Sequence, residues 1–148
     1  MELIRKAMGR ILALDYGLKR VGIAVTDPMK IIASPITTVD EGHIVEYLWE
    51  YMLNENVETI VVGMPKRLNG KATHATGAVI RFVAKLKKTF PEVNIVTENE
   101  QFTSKMAVAA MITGGMKKKA RMRKSNIDKI SASIILQSYL ERMKYNDR

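Results

Sequence analysis

The sequence predicts an α/β fold: a five-stranded mixed sheet whose first three strands form an antiparallel meander, with helices on both faces. Three observations point there. The apolar runs Ile11-Leu12-Ala13-Leu14 and Val21-Gly22-Ile23-Ala24-Val25 are separated by a turn far too short for a helical crossover, so their strands must be antiparallel neighbours. Two later runs, Thr59-Ile60-Val61-Val62-Gly63 and Val93 to Thr97, are separated by a stretch of helical spacing, as parallel neighbours require. A final segment carries a broad apolar set at helical spacing, enough to cover one face of a sheet.

Taken in order, residues 10–15, 20–27 and 30–39 read as the three strands of the meander, with turns at Tyr16-Gly17 and Asp27-Pro28. From Glu41 to Asn54, Ile44, Val45, Leu48, Met52 and Leu53 recur with helical spacing while Glu46 and Glu50 fall on the other side. Thr59 to Gly63 is continuously apolar, the pattern of a strand buried on both faces, and ends in Met64-Pro65 and a polar loop through Gly70. A helix is expected from about Thr73 to Lys88. Pro91 breaks the chain, and the fifth strand, Val93 to Thr97, runs into Glu98-Asn99-Glu100-Gln101. Thr103 or Ser104 caps a further helix through about Thr113, which Gly114-Gly115 stops. The last helix spans about Asn126 to Met143, with Ile127, Ile130, Ile134, Ile135, Leu136, Tyr139, Leu140 and Met143 as its apolar set.

A chain of 148 residues with 47% hydrophobic content fills one core, so a single domain over residues 9–148 is expected, preceded by an N-terminal extension over residues 1–8. No apolar stretch reaches the roughly 18 residues of a membrane span, and no secretory leader is visible. The absence of cysteine removes disulfides, thiolate metal sites and cysteine nucleophiles, and fits a reducing compartment. A cytoplasmic protein is expected. The formal net charge of +9 favours a polyanionic partner. That charge is concentrated: Lys117, Lys118, Lys119, Arg121, Arg123 and Lys124 fall within eight positions, expected as a mobile loop that tracks phosphates. Aromatic residues are only 6% of the chain and are not interleaved with this run, so base stacking is not signalled. Recognition by shape or by single-stranded ends suits RNA better than a base code.

Asp15 ends the first apolar run, at the lip of the sheet, next to Lys19 and Arg20, which are expected to meet a phosphate there, the plain alternative being cations that solvate the hairpin. A lone carboxylate is rare in a strand because burying an unpaired ionised group costs several kcal/mol. A turn aspartate capping the hairpin is the plain alternative. Ligands of open α/β sheets collect at the carboxyl ends of strands. Glu98 and Glu100 end the fifth strand and Asp128 starts the final helix, so all are able to converge on Asp15. Such a cluster is repulsive unless hard divalent cations neutralise it, and two such ions activate water and stabilise the leaving oxygen in phosphodiester cleavage. Side chains of positions 15, 100 and 128 lying far apart, or a neutralising lysine or arginine in that pocket, would count against hydrolysis by such a cluster, because the electrostatic reason for a metal would be gone. His43 and His74 stand apart without metal-ligand spacing and are assigned no role.

The run from Asp15-Tyr16-Gly17-Leu18-Lys19-Arg20 through Val21-Gly22-Ile23-Ala24-Val25-Thr26-Asp27 closely resembles the opening signature of the YqgF/RuvX family, within the ribonuclease H-like superfamily. Val61-Val62-Gly63-Met64-Pro65 with Asn69-Gly70 is similar to that family's Val-Gly-Leu-Pro loop. Ile127-Asp128-Lys129-Ile130-Ser131-Ala132 through Leu136-Gln137-Ser138-Tyr139-Leu140 is similar to its C-terminal helix. The resemblance runs from about Gly9 to Glu141.

It implies a ribonuclease H-like fold, dependence on Mg²⁺ or Mn²⁺, and cleavage of the 5′ end of pre-16S ribosomal RNA in ribosome biogenesis, with pre-ribosomal particles as partners. An older reading of the family is Holliday-junction resolution. Carried over by motif, Asp15, Glu100 and Asp128 are the catalytic, metal-ligating carboxylates. Members usually show Asp-Glu-Arg, then an apolar residue and Thr-Thr, where this chain has Asn99-Glu100-Gln101-Phe102-Thr103-Ser104. The amide of Asn99 offers an oxygen without the charge that grips a hard cation, and Glu98, two residues before Glu100 and so on its strand face, is a candidate substitute. Three functions follow: an RNA nuclease; a resolvase of branched DNA, which needs two cuts and hence a two-fold dimer, where a nuclease can be a monomer; and a non-catalytic nucleic-acid-binding or ribosome-assembly factor on a nuclease scaffold.

Overall fold

The computed structural model describes residues 9–65, 74–100, 109–110, 112–121 and 123–146. Five strands, β1 (Arg10–Tyr16), β2 (Arg20–Thr26), β3 (Ala33–Asp40), β4 (Val57–Pro65) and β5 (Asn94–Glu100), form one sheet in the order β3-β2-β1-β4-β5. β1 pairs antiparallel with β2, and β2 with β3, while β4 lies parallel to both β1 and β5. The expected mixed sheet with its leading meander is therefore present, and β1 is central. The N-terminal extension and the polar loop through Gly70 lie outside the described residues, as do the cap positions Thr103 and Ser104.

Strand alternation sorts the core into two layers. Leu12, Leu14, Ile23, Ile60 and Val62 face one side, where α1 (Ile44–Asn54) contributes Ile44 and Leu48 and α2 (His74–Thr89) contributes Val79, Phe82 and Leu86. Ile11, Ala13, Ala24 and Val61 face the other side. There the long final helix, α4 (Lys124–Asn146), lays down Ala132, Ile135, Leu136, Tyr139 and Leu140. Each fully buried Leu, Ile or Phe contributes about 1.5–3 kcal/mol, so packing along this stripe fixes where the polar first turn of α4 comes to rest. Met143, expected on the apolar face, is 39% exposed near the far end of the helix.

Several boundaries differ from expectation for identifiable reasons. β3 starts at Ala33 because the Asp27 carboxylate accepts backbone N–H bonds from Ile32, Ile31 and Met29, folding residues 27–32 into a turn. Those bonds, that from Ile32 first, also hold the Asp27 carboxyl below its ordinary pKa. β5 continues through the acidic run because Glu98 pairs with Gly63 and Glu100 with Pro65 on β4, so ladder hydrogen bonding outweighs the low strand propensity of Glu and Asn. The basic run is not a loop. Lys118–Arg121 form a helical turn, α3, and Lys124 is the first residue of α4. The Arg121 N–H donates to the Lys117 carbonyl (3.0 Å), and the Asn126 amide ties the Ala120 carbonyl to the start of α4 (2.9 Å).

Candidate active site

Asp15 lies one position beyond Leu14, so alternation along β1 puts it on the α4 side of the sheet with Ile11 and Ala13. Its neighbour across the β1–β2 ladder is Gly22. A Cβ at Gly22 would overlap the backbone carbonyl of Asp128 and stand 2.8 Å from the Lys129 nitrogen. The first turns of α4 therefore rest directly on the β2 backbone, which a side chain at position 22 would prevent. The Thr38 hydroxyl on β3 donates to the Ser125 carbonyl at 2.6 Å and pins the same helix end. An isolated glycine inside an apolar strand is the sequence signal for such close backbone approach.

Lowered in this way, Asp128 meets Asp15. The two line a single open cavity of about 260 Å³ together with Gly17, Leu18, Lys19 and Arg20. The β1–β2 turn closes tightly, with the Gly17 N–H on the Arg20 carbonyl at 2.9 Å, and the Lys19 carbonyl accepts the Glu41 N–H at 2.9 Å. Tyr16, on the opposite side of the sheet, braces the strand end. Its ring stacks on Phe82 with centroids 4.1 Å apart, and its hydroxyl donates to Glu41 Oε1 at 2.9 Å. Burial, reinforced by that bond to a carboxylate, pushes the Tyr16 phenol up to about 12.

Arg20 shares the α4 side with Gly22 and Ala24, and its Nε donates to Asp128 Oδ2 at 3.0 Å. The side chains are 34% and 23% exposed, so the pair is half-buried at the cavity wall. This corrects the sequence reading in one respect. Repulsion between converging carboxylates does not by itself demand a metal here, because the chain supplies its own cation to Asp128. The Arg20 contact also differs from the phosphate contact expected of it.

Glu98 does not line this cavity. Glu98 is 8% exposed and accepts Arg142 Nη2 at 2.7 Å and Nε at 3.0 Å, with Arg142 also lying over the Tyr139 ring. It locks β5 to the far end of α4 rather than reaching Asp15, and the expectation of a substitute ligand is withdrawn. The bond to Glu98 raises the Arg142 pKa. Asn99 is exposed. The backbone of Glu100 ends β5 opposite Pro65, two strand spacings or about 10 Å from β1. Among the described residues, no group of three or more His, Cys, Asp or Glu stands in a metal-holding arrangement. The two aspartates are nevertheless hard oxygen donors facing one small cavity, which suits Mg²⁺ or Mn²⁺ and not a soft metal.

Around the cavity the charge is positive. Lys19 is exposed at its wall, and Lys124 lies one helical turn before Asp128. Lys117, Lys118, Lys119, Arg123 and Lys124 are exposed, whereas Arg121 is half-buried and its buried Nε has no hydrogen-bond partner among the described residues. Of the residues named from sequence, Asp15 and Asp128 line the same cavity and most of the basic segment is exposed. Sequence reasoning missed the Arg20–Asp128 pair, since nothing in residue spacing tells whether a strand arginine meets phosphate or a helix carboxylate 108 positions away.

Comparison with known proteins identifies the family and the fold. A family model described as "RuvX: Holliday junction resolvase" matches residues 9–142. A protein of Amoebophilus asiaticus (strain 5a2) is 50% identical over 137 residues, covering 93% of this chain and 97% of the relative. One of Flavobacterium psychrophilum is 48% identical over 135 residues, covering 91% and 98%, and both bear the name "Putative pre-16S rRNA nuclease". Thermus thermophilus RuvC, solved in complex with a Holliday junction substrate, superposes with a TM-score of 0.55 at 16% identity, covering 92% of this chain and 96% of that one. That likeness establishes the ribonuclease H-like fold. With its fold and its matches in agreement, the chain belongs to the RuvX (YqgF) family.

Proposed function

We propose that this chain is a metal-dependent nuclease that cuts phosphodiester bonds in structured RNA, and that its substrate is the 5′ end of the 16S ribosomal RNA precursor in cytoplasmic pre-ribosomal particles. The observation that carries the reading is the meeting of Asp15 and Asp128 at one cavity, flanked by an exposed cationic segment. The names borne by the relatives support the choice of RNA.

Asp15 and Asp128 would hold the ion, with Glu100 as the third carboxylate carried over by motif. Bound Mg²⁺ or Mn²⁺ supplies Lewis acidity toward the phosphate and lowers the pKa of attacking water. The chain's residues do the rest. The Gly22 contact sets the spacing between the two aspartates, and Lys19 presents a cation where a phosphate would enter. Lys117, Lys118, Lys119, Arg123 and Lys124 hold the strand through its backbone without reading bases. The scarcity of aromatic side chains agrees with such recognition.

Purified protein with Mn²⁺ or Mg²⁺ should shorten a precursor transcript at its 5′ side. Asp15→Asn should lower the rate by at least about 100-fold, as removal of a group acting directly at the reacting centre does, while the melting temperature holds. Cleavage that survives Asp15→Asn, or that persists in excess chelator, would refute the reading. A second reading, resolution of branched DNA, is favoured by the family description and by the likeness to a junction-bound resolvase fold. It requires a two-fold pair of sites, so a strictly monomeric protein in solution would remove it. A third reading, a non-catalytic RNA-binding factor, rests on the Asn99 and Gln101 departures and is supported by the Arg20–Asp128 pair. That factor would bind RNA in a salt-sensitive manner yet show no saturable Mn²⁺ uptake.

A further inference from the structure

We propose that Arg20 is an exchangeable internal counter-cation: its guanidinium holds Asp128 in the metal-free chain, and a divalent cation entering the Asp15/Asp128 cavity displaces it. The proposal rests on the metal-dependent reading above and adds how the site is kept ready without metal.

Three features of the geometry carry it. First, the backbone of Asp128 is seated by its contact at Gly22 and by the Thr38–Ser125 bond, neither of which involves Arg20. The helix end that carries the carboxylate therefore keeps its place when the guanidinium leaves. Second, Arg20 contacts Asp128 through Nε alone, on Oδ2, rather than as a two-pronged clamp. A single contact is easier to break than the bidentate pairing arginine makes where it is a permanent partner, as Arg142 does with Glu98 through two nitrogens. Third, the pair is one-quarter to one-third exposed and opens on the cavity, so the released guanidinium passes into solvent rather than into the core. A fully buried arginine would pay a large desolvation penalty on losing its anion; Arg20, 34% exposed, pays less.

The charge count gives the direction. With Arg20 seated, Asp128 is neutralised, and the first turn of α4 avoids a bare carboxylate beside Asp15. A dication attracts the two aspartates more strongly than one guanidinium does, yet it must first displace that guanidinium, so the arginine lowers apparent metal affinity. By linkage the metal loosens the arginine to the same degree. Once freed, Arg20 stands beside Lys19 at the cavity wall, with its planar donor fork available to an approaching phosphate.

The test is metal binding to full-length protein. Mn²⁺ titration by calorimetry should show Arg20→Gln binding about tenfold more tightly than the wild type, within the ordinary range of coupling between sites. Asp128→Asn should bind more weakly. In ¹⁵N-resolved spectra the Arg20 Nε–H signal, assigned by its loss in Arg20→Gln, should move toward the position of solvent-exposed arginines as diamagnetic Mg²⁺ is added. Equal Mn²⁺ affinity in wild type and Arg20→Gln, or weaker affinity in the variant, would overturn the exchange while leaving the nuclease reading standing. Folded wild type and variant that both fail to bind Mn²⁺ would remove the metal-dependent reading and this one with it. Should Arg20→Gln not fold, Arg20→Lys serves, with an affinity between the two expected and a wild-type value contradicting the proposal.

Discussion

Substituting Gly22 by alanine tests the contact that builds the site. The added carbon would lie 2.8 Å from the Lys129 nitrogen, against about 3.5 Å for a comfortable contact, and closer still to the Asp128 carbonyl. The three nearest atoms are all backbone, so no rotamer change relieves the overlap. The first turns of α4 must rise from β2 by at least about 0.7 Å. Overpacking of this kind costs about 1–3 kcal/mol, offset in small part by the lower chain entropy of alanine in the unfolded state. For a chain of this length the melting midpoint should fall by about 2–12 °C, leaving the protein folded at 25 °C. Cleavage should suffer far more, by about 100-fold, because a displacement near 1 Å at a positioned group costs that much in rate. Gly42→Ala is the control, since a Cβ there meets nothing within 4 Å, and its midpoint should stay within experimental error of the wild type. Melting curves and a precursor-cleavage assay on both variants decide the matter. A Gly22→Ala protein with wild-type midpoint and rate would show that α4 does not rest on β2 at this residue, and the placement of Asp128 would fail with it.

Glu98→Gln should lower the melting midpoint by a few degrees, because it strips a buried anion from Arg142, and should leave Mn²⁺ affinity unchanged; weakened Mn²⁺ binding at constant midpoint would reinstate Glu98 as a ligand. Replacing Lys117, Lys118, Lys119 and Lys124 together by Gln should reduce the slope of log affinity against log salt by about 3 for structured RNA, read by filter binding across a salt series, and an unchanged slope would place the phosphate contacts elsewhere. Tyr16 has a folded-state pKa of about 12, above the ordinary 10.0, so the native state holds its proton while the unfolded state loses it. Its stabilising contribution is therefore complete below pH 10 and is lost as pH rises from 10 toward 12. Tyr16→Phe should melt lower than wild type at pH 8, with the gap narrowing above pH 10; a gap that widens in alkali contradicts the Glu41 bond.

The Arg20–Asp128 pair also bears on how acidic sites should be read. Converging carboxylates are commonly taken as a signature of bound metal, yet here one of the two aspartates on the cavity already has an arginine partner. Metal dependence is therefore a matter for titration and not for electrostatic necessity.

The sequence alone determined much of the architecture. Short turns force antiparallel pairing, and helical spacing between apolar runs forces a parallel crossover, so the meander, the mixed sheet and the strand-end position of Asp15 were all readable from local pattern. The same holds for the clustered lysines and for Asp128 near the start of the last helix. What the tertiary structure decided was which charges meet. Glu98 and Asp15 were both legible as strand-end acids, but only the diagonal path of α4 across the sheet gives Glu98 to Arg142 and brings Asp128 to Asp15 and Arg20. The run from Lys117 to Lys124 read as a loop because its charges conceal helix geometry that is settled by backbone bonds to Ala120 and by the start of α4. Strand and helix periodicity is a property of a few consecutive residues, whereas the partner of a charge depends on where a helix more than 100 residues away comes to rest, and here a missing side chain at Gly22 sets that position.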